Sequence, residues 1–321
     1  MKRVALLAGA GLLSLGLVAC GGKDAGEPMS EAKVAQQTAD PARAFEAVAG
    51  RLKENDILGA VQLMVPAERM GELRAEWKKK MGDEVPSEED RAEFAAMMTK
   101  LTASDAEQVL YAELEPALVK FESEMAAQMP MMIGMGQGFL MQGIQANTEM
   151  TEAQKKQSVD MVNALGTWLQ TAKLTDRELA KKGVAVVVAT ARKLDLKALD
   201  DVRALEFDQA MGKFGIVFGG LKDIFALYGF DLNQSFASVK ANLVSREGDL
   251  AKVGFSYSFL GQNLTGEAEM VEKDGRWYGK DSVEQLMKGL TEAEEEAVSE
   301  EVDSLQEESG EEAVPEEEAV D

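Results

Sequence analysis

Residues 125–141 of this 321-residue chain are rich in methionine, and the spacing of these side chains could allow them to bind a metal ion. Thioether sulfurs are soft ligands that suit Cu(I) or Ag(I), and Met131 and Met135 would share one helix face because they are four residues apart. The segment could instead be a flexible core helix, since methionine fills irregular gaps, or line a groove for an apolar ligand or a partner. No histidine supports a metal site. Core packing is therefore the favoured prediction, with Gly134 and Gly138 allowing close helix approach.

Two absences limit the catalytic chemistry. The chain has no histidine, and Cys20 is its only cysteine. Ser-His-Asp and Cys-His nucleophiles are therefore excluded, as are zinc or copper sites built on His or Cys. Adjacent carboxylates such as Glu88/Glu89 and Asp200/Asp201 fit exposed helix faces better than a glycosidase pair, which must face each other across a cleft. We predict no enzyme activity and no catalytic, cofactor-binding or metal-binding residue. An enzyme that uses carboxylates or a Ser/Lys pair is the alternative.

The charge of the chain is strongly negative, with a formal net value of −23 and a pI near 4.5. Phosphate backbones repel such a surface, so nucleic acid is not an expected partner. Residues 291–321 hold 15 acidic residues and no Lys or Arg. Such a tail has too little apolar surface to fold, and it is predicted to be a disordered, solvated spacer. A ligand for divalent cations or for a cationic partner is the other interpretation of the tail.

The N-terminus has the order of parts found in an export signal. Lys2 and Arg3 precede an apolar stretch of 15 residues at 4–18, which suits a signal peptide and is short for a membrane-spanning helix. The stretch ends in Leu17-Val18-Ala19-Cys20, followed by Gly21. This segment resembles the lipobox of bacterial lipoprotein precursors.

The lipobox resemblance implies an anchor and an address. It implies that residues 1–19 are a signal peptide cut off before Cys20, and that Cys20 then carries diacylglycerol and usually an N-acyl chain such as palmitate. One acyl chain binds a membrane reversibly, whereas two or three make attachment effectively permanent. An aspartate after the cysteine commonly retains such proteins at the inner membrane. Gly21 stands there instead, which favours the periplasmic face of the outer membrane over the inner membrane.

Apolar residues recur with helical spacing over most of the chain. Phe45, Val48 and Leu52 form one stripe near the start, and Phe207, Met211, Phe214, Phe218, Leu221 and Phe225 form another further on. Helix starts are predicted at the capping boxes Ser87-x-x-Asp90, Ser104-x-x-Glu107 and Thr175-x-x-Glu178. The β-branched run at 183–189 would suit a strand, but its helical surroundings favour a buried helix.

The period changes to two after about Ser238. Val253, Phe255, Tyr257 and Phe259 alternate with small polar residues, as in a half-buried strand. A further strand at 264–273 runs into Asp274-Gly275, a hairpin turn, and Arg276-Trp277-Tyr278 returns. Ser282 is predicted to cap a short helix to Leu290. The fold class is therefore α+β, predominantly helical, with a small C-terminal antiparallel sheet of three to four strands.

Five regions follow from these patterns: the signal peptide at 1–19, a lipidated cysteine and flexible tether at 20–40, a helical region at 41–180, an α+β region at 181–290 and the acidic tail at 291–321. Residues 181–282 resemble NTF2-like, cystatin-type lipoprotein domains through the D-G-R-W-Y hairpin and the strand order. That resemblance implies helices packed on a curved sheet. An echo of five identical residues at an offset of 141, including Met70 and Met211, leaves open an internal duplication.

The expected function is a non-catalytic binding or interaction module that is anchored to a membrane of the cell envelope through lipid on Cys20. An envelope protein is a possible partner. Two alternatives stay open: a carrier for an apolar ligand held between helices and sheet, and the unrecognised enzyme named above. A deep apolar pocket with a few converging polar groups would favour the carrier. An exposed apolar patch over a filled core would favour partner binding.

Overall fold

The computed structural model describes residues 28–83, 85–148 and 150–283. Helices make up most of the described chain: α1 Glu31–Thr38, α2 Pro41–Lys53, α3 Ile57–Met64, α4 Ala67–Asp83, α5 Glu88–Thr102, α6 Ala106–Glu124, α7 Met129–Ala146, α8 Glu152–Thr171, α9 Arg177–Leu194, α10 Leu199–Arg203, α11 Phe207–Leu227 and α12 Leu232–Ala237. Four strands follow: β1 Lys240–Glu247, β2 Leu250–Phe259, β3 Gln262–Lys273 and β4 Arg276–Gly279. The predicted α+β, mostly helical class is confirmed.

The strands form one antiparallel meander in the order β1-β2-β3-β4. Val253 pairs with Ala268 and Phe255 with Gly266, so alternate residues of β2 and β3 share the face that meets the helices. A bulge interrupts the β1–β2 register between Leu243 and Ser245. The tight turn between β3 and β4 uses Asp274-Gly275, both with positive φ, as the sequence predicts.

Side-chain caps define the helix starts, and two predicted starts are displaced. Ser87 and Asp90 form the predicted capping box of α5. The prediction at Ser104 is wrong, because α6 begins after Asp105 without a side-chain cap. The prediction at Thr175 is wrong by one residue: Asp176 caps α9 through the amides of Glu178 and Leu179. Asp176 caps the helix in place of Thr175 because its carboxylate accepts both hydrogen bonds at once.

The tether predicted at 20–40 is wrong for its second half, because residues 31–38 form α1. Val34 and Thr38 lie one helical turn apart and are both buried, and α1 packs on α2 and α3. The backbone amide of Met29 donates to Gln62 Oε1 on α3 at 2.8 Å. Two buried side chains over eight residues are too weak a pattern to reveal a helix that exists through tertiary packing.

The helical and α+β regions of the chain share their core. The predicted boundary between the two regions, at residue 181, lies inside α9. Helix α2 of the helical region packs on the sheet and on α12 of the α+β region. Helices α3 and α4 pack on α11, and Trp77 Nε1 donates to Leu205 O at 2.8 Å across this contact. The cluster at this contact comprises Leu58, Val61, Met70, Phe207, Ala210 and Met211. The run at 183–189 belongs to α9, as predicted, with Val184 and Val188 buried.

The order of helices repeats at the offset of the sequence echo. The series α2-α3-α4 and α9-α10-α11 each consist of a long helix, a shorter one and a long one. The first members end at Lys53 and Leu194, which are 141 residues apart. Shortly after each of these helix ends lies a residue with a positive φ angle, Asn55 in the first series and Asp195 in the second. The two series meet at the core cluster that contains Met70 and Met211, an arrangement that agrees with a duplicated helical unit.

None of the described helices is long and apolar enough to cross a lipid bilayer. The predicted signal peptide, Cys20 and the predicted acidic tail all lie outside the described residues. The helix predicted from Ser282 to Leu290 lies mostly outside them too. Its described part is already helical from Lys280, so Ser282 is not the residue that begins it.

Candidate functional site

An apolar cavity lies between α2 and the inner face of the sheet and has a volume of about 370 Å³. The face of α2 that carries Phe45, Val48 and Leu52 forms one wall, and this is the stripe that the sequence predicts. The inner residues of β2 form the opposite wall. Residues from α3, α8, α12, β3 and β4 form most of the remaining lining: Leu63, Met64, Gln157, Met161, Leu232, Ser235, Phe236, Ala268, Met270, Trp277 and Tyr278. Val239, between α12 and β1, also contributes.

Small residues on the facing elements create the empty space. Ala44 and Ala49 on α2 and Ala268 on β3 line the cavity where larger side chains would fill it. Bulky rings surround them: Phe45 stacks on Phe255 with ring centroids 4.6 Å apart. Ala44 itself packs against Val253, Met270 and Trp277 of the sheet. The volume falls within the range of roughly 300–1,000 Å³ that is typical of small-molecule sites.

Neutral polar groups converge on this apolar space. Gln157 Nε2 on α8 donates to Tyr257 Oη on β2 at 3.3 Å. Gly266 makes this possible, because a Cβ there would lie 2.5 Å from Gln157 Oε1 and from Phe255 Cζ. Burial raises the pKa of Tyr257, while the hydrogen bond from Gln157 acts in the opposite direction. The phenol is therefore neutral at physiological pH and adds a hydroxyl without a charge.

Charged groups border the cavity only at its edge. Glu269 and Asp281 are among the lining residues, and no Lys or Arg belongs to the lining that the structure describes. Lys280 Nζ donates to Glu269 Oε2 at 2.8 Å, and this hydrogen bond lowers the pKa of Glu269. The carboxylate of Glu269 is thus already neutralised by a neighbour. Asp281 supplies the remaining charge at the edge.

The methionine segment lies elsewhere, and the predicted core packing is wrong for most of it. It forms α7, whose contacts are with α8, and in α7 only Ile133 is buried. Met131, Met135 and Phe139 follow each other at one-turn intervals with exposed fractions of 62%, 68% and 77%. The segment fails as a core element because a single neighbouring helix covers one face of it. Helix α7 therefore presents an uncharged apolar face to solvent.

The predicted role of Gly134 and Gly138 in helix packing is also wrong. A Cβ at either position would meet no atom within 4 Å. The close approach between α7 and α8 occurs instead at Gly166, against the side chain of Gln137. Gln137 Nε2 donates to Val162 O at 3.3 Å there. Spacing of glycines on one helix does not show which face the neighbouring helix covers.

The carboxylate pairs are exposed, as their sequence context indicates. Glu88 and Glu89 lie in the first turn of α5. Asp201 accepts from the amides of Lys197 and Ala198, which lowers its pKa, while Asp200 forms an ion pair with Arg91. The described residues contain no group of three or more acidic side chains placed to hold a metal ion.

Sequence reasoning missed the residues that complete the cavity. Gln157 and Met161 lie on a helix about 100 residues before the strands that they face, and no local pattern links them. The inner face of β2 was recognisable from its alternation, and so was the stripe of α2. Sequence reasoning also missed the buried lysine Lys222 on α11. Its residue is only 1% exposed, and its amino group contacts Asn233 Oδ1 and lies over the Phe218 ring.

Comparison with family models, with curated proteins and with solved structures finds no match to this chain.

Proposed function

We propose that the mature chain is a lipid-anchored protein of the bacterial envelope that binds a small apolar molecule in the cavity between α2 and the sheet. The observation that carries the proposal is the cavity itself, with its aromatic and aliphatic walls and the neutral Gln157–Tyr257 pair. Of the binding functions considered, a carrier or sensor of an apolar ligand fits this geometry best. No chemical step on the ligand is proposed.

The affinity of such a site would come from removing apolar surface from water. Each methylene buried contributes about 0.8 kcal/mol. A ligand with ten buried methylenes would gain about 8 kcal/mol, which is comparable to the cost of association of about 4–15 kcal/mol. The gain requires a preformed space, and the rings of Phe45 and Phe255 hold the walls apart. The volume of about 370 Å³ suits a compact or short-chain apolar molecule.

The anchor supports a function close to lipid. Leu17-Val18-Ala19-Cys20 provides the lipobox, and Gly21 favours the outer membrane. Residues 21–27 separate the lipidated cysteine from the described fold. Seven residues reach at most about 25 Å when extended. The cavity would thus remain near the periplasmic face of the membrane, where apolar molecules partition.

The second candidate is a module that binds a protein of the envelope, and the exposed face of α7 favours it. Helix α6, which leads into α7, carries five glutamates and one lysine. A partner with an apolar stripe and a basic rim would complement both features. Anionic lipid would be repelled by the same charges, so a protein partner suits this face better than a membrane surface does.

Ligand binding is tested with the mature polypeptide, residues 20–321, carrying Cys20→Ser so that no acyl chain competes. The probe is N-phenyl-1-naphthylamine, an uncharged dye that fluoresces in apolar surroundings. Ala268→Phe fills the cavity and should weaken dye binding at least tenfold. The matched control, Thr265→Phe, adds the same ring on the outer face of β3 and should leave binding unchanged. Equal binding by both variants would overturn the proposed site.

The anchor is tested on the full chain in bacterial cells. Radiolabelled palmitate should be incorporated into the wild-type chain and not into Cys20→Ser, and the labelled chain should fractionate with the outer membrane. A protein that still begins at Met1, or that carries an unmodified Cys20, would contradict the anchor while leaving the cavity untouched.

A further inference from the structure

The charge pattern at the edge of the cavity bears on the head group of the ligand. The lining contains two carboxylates, Glu269 and Asp281, and no positively charged side chain among the residues that the structure describes. The Glu269 carboxylate is bound by Lys280 at 2.8 Å. Asp281 forms no ion pair with any described lysine or arginine. Among the described residues, the carboxylate of Asp281 is thus the one uncompensated charge in the lining, and a carboxylate or phosphate head would meet repulsion there.

The aromatic lining of the cavity suits a cation. Phe45, Phe255 and Tyr257 line the cavity as neighbouring rings, and the faces of aromatic rings attract ammonium groups. The same sheet already shows this preference, since the Arg246 guanidinium lies 4.8 Å from the centroid of Trp277. The polar groups deeper in the cavity, Gln157 and Ser235, are uncharged. An aromatic lining and a carboxylate at the edge of the same cavity together favour an amine or a quaternary ammonium over an anion.

The charge of the whole chain acts in the same direction. Its formal net charge is −23, and residues 291–321 alone hold 15 acidic residues and no Lys or Arg. That acidic segment begins ten residues after Asp281 in the sequence. A negative field raises the local concentration of cations and lowers that of anions.

We infer, on the basis of the ligand binding proposed above, that the cavity selects an amphiphile with an apolar body and a cationic head. The body occupies the space between α2 and the sheet. The head lies at the edge beside Asp281. Fatty acids, whose chain would fit equally well, are discriminated against by their carboxylate.

The test compares three amphiphiles that share one chain and differ in the head: dodecyltrimethylammonium, dodecanol and dodecanoate. Each is used below its micelle concentration to displace N-phenyl-1-naphthylamine from residues 20–321 with Cys20→Ser, in 0.15 M salt, which is enough to screen distant charges. The ammonium should displace the dye at a concentration at least tenfold lower than dodecanoate, with dodecanol between them. Displacement by dodecanoate at an equal or lower concentration would overturn the inference.

A charge-matched pair of variants separates local recognition from overall charge. Asp281→Asn should reduce the preference for ammonium over dodecanol severalfold, and the affinity for dodecanol should stay the same. Asp274→Asn removes one charge from the β3–β4 turn, outside the cavity lining, and should leave the preference intact. An equal loss in both variants would show that only net charge matters. Failure of the dye to bind at all would contradict the proposed function itself, whereas dye binding without head-group preference would contradict only this inference.

Discussion

Gln157 donates a hydrogen bond to the hydroxyl of Tyr257 at 3.3 Å and so joins α8 to the inner face of the sheet. The two residues are 100 positions apart, and both are half-buried. The contact is polar, yet rings surround it: Tyr257 lies between Phe255 and Phe259, with centroids 6.1 and 6.3 Å away. It therefore fixes the position of α8 along one wall of the cavity.

Tyr257→Phe removes this hydrogen bond and keeps the ring. Because Gln157 is half-buried and can turn to water, we expect a loss of about 0.5–1.5 kcal/mol in the free energy of unfolding. The shape of the cavity is unchanged, so binding of the uncharged dye should change by less than about twofold, which corresponds to about 0.4 kcal/mol. Urea unfolding and dye titration measure the two quantities.

A double-mutant cycle with Gln157→Leu isolates the pair. The effects of the two single substitutions should not add, since both remove the same bond. Tyr111→Phe is the control: its hydroxyl contacts Glu115 on the exposed surface of α6 at 3.2 Å. Additive losses for Gln157→Leu and Tyr257→Phe would show that the bond does not exist in solution.

The tyrosines make the stability of the fold depend on pH in the alkaline range. The chain has four, and desolvation is the main cause that raises the pKa of Tyr111, Tyr228, Tyr257 and Tyr278 above the ordinary value. Folded tyrosine thus binds its proton more tightly than unfolded tyrosine. The resulting stability is fully present below the unfolded pKa of about 10 and is lost as pH rises through the folded values.

We therefore expect the absorbance at 295 nm, which reports phenolate, to rise at higher pH in the folded protein than in denaturant. The unfolding midpoint in urea should fall once the pH exceeds about 10. In Tyr257→Phe the folded titration should lose one of its high-pH components. Coincident titration curves in the folded and denatured states would contradict the raised pKa values of these phenols.

The sequence predicts those parts of the fold whose signals are local. The D-G turn at 274–275, the alternation of Val253 to Phe259 and the stripe on α2 each reflect the periodicity of a single element. These signals suffice for the fold class and for two walls of the cavity. The remaining walls depend on which elements meet, and nothing near Gln157 indicates that it faces Tyr257.

The same distinction explains the wrong predictions. A methionine-rich, uncharged run such as α7 has the composition of a core helix, but its burial depends on how many neighbours cover it. Helix α1 has the opposite problem: its composition resembles a linker, and its contacts with α2 and α3 hold it in place. Composition reports what a helix could bury, whereas packing decides what it does bury.

Gly220 on α11 is a site where packing forbids a side chain. A Cβ there would lie 2.2 Å from Thr190 Oγ1 and 3.1 Å from Thr190 Cβ on α9. Rotation of Thr190 could move its hydroxyl, but its Cβ is fixed to the backbone. Gly220→Ala should therefore destabilise the protein by about 1–3 kcal/mol, measured by urea unfolding.

Gly138→Ala is the matched control for this substitution, because an added Cβ on α7 meets no atom within 4 Å. Alanine is the better helix former, so this variant should gain about 0.5–1 kcal/mol. The two changes are chemically identical and should have opposite signs. If both variants were stabilised, the close contact between α9 and α11 would be wrong.

The exposed face of α7 predicts an order of oxidation among the methionines. Met131 and Met135 are mostly exposed, whereas Met211 and Met270 are 4% and 3% exposed in the core clusters. Peroxide reaches a thioether only where the sulfur is accessible, so Met131 and Met135 should become sulfoxides at least about tenfold faster. Peptide mass spectrometry over a time course measures the rates, and a urea-unfolded sample provides the control in which all four should react alike. Protection of Met131 and Met135 to the level of Met211 in the isolated chain would mean that another surface covers α7, and it would contradict the solvent-facing position on which the second candidate function depends.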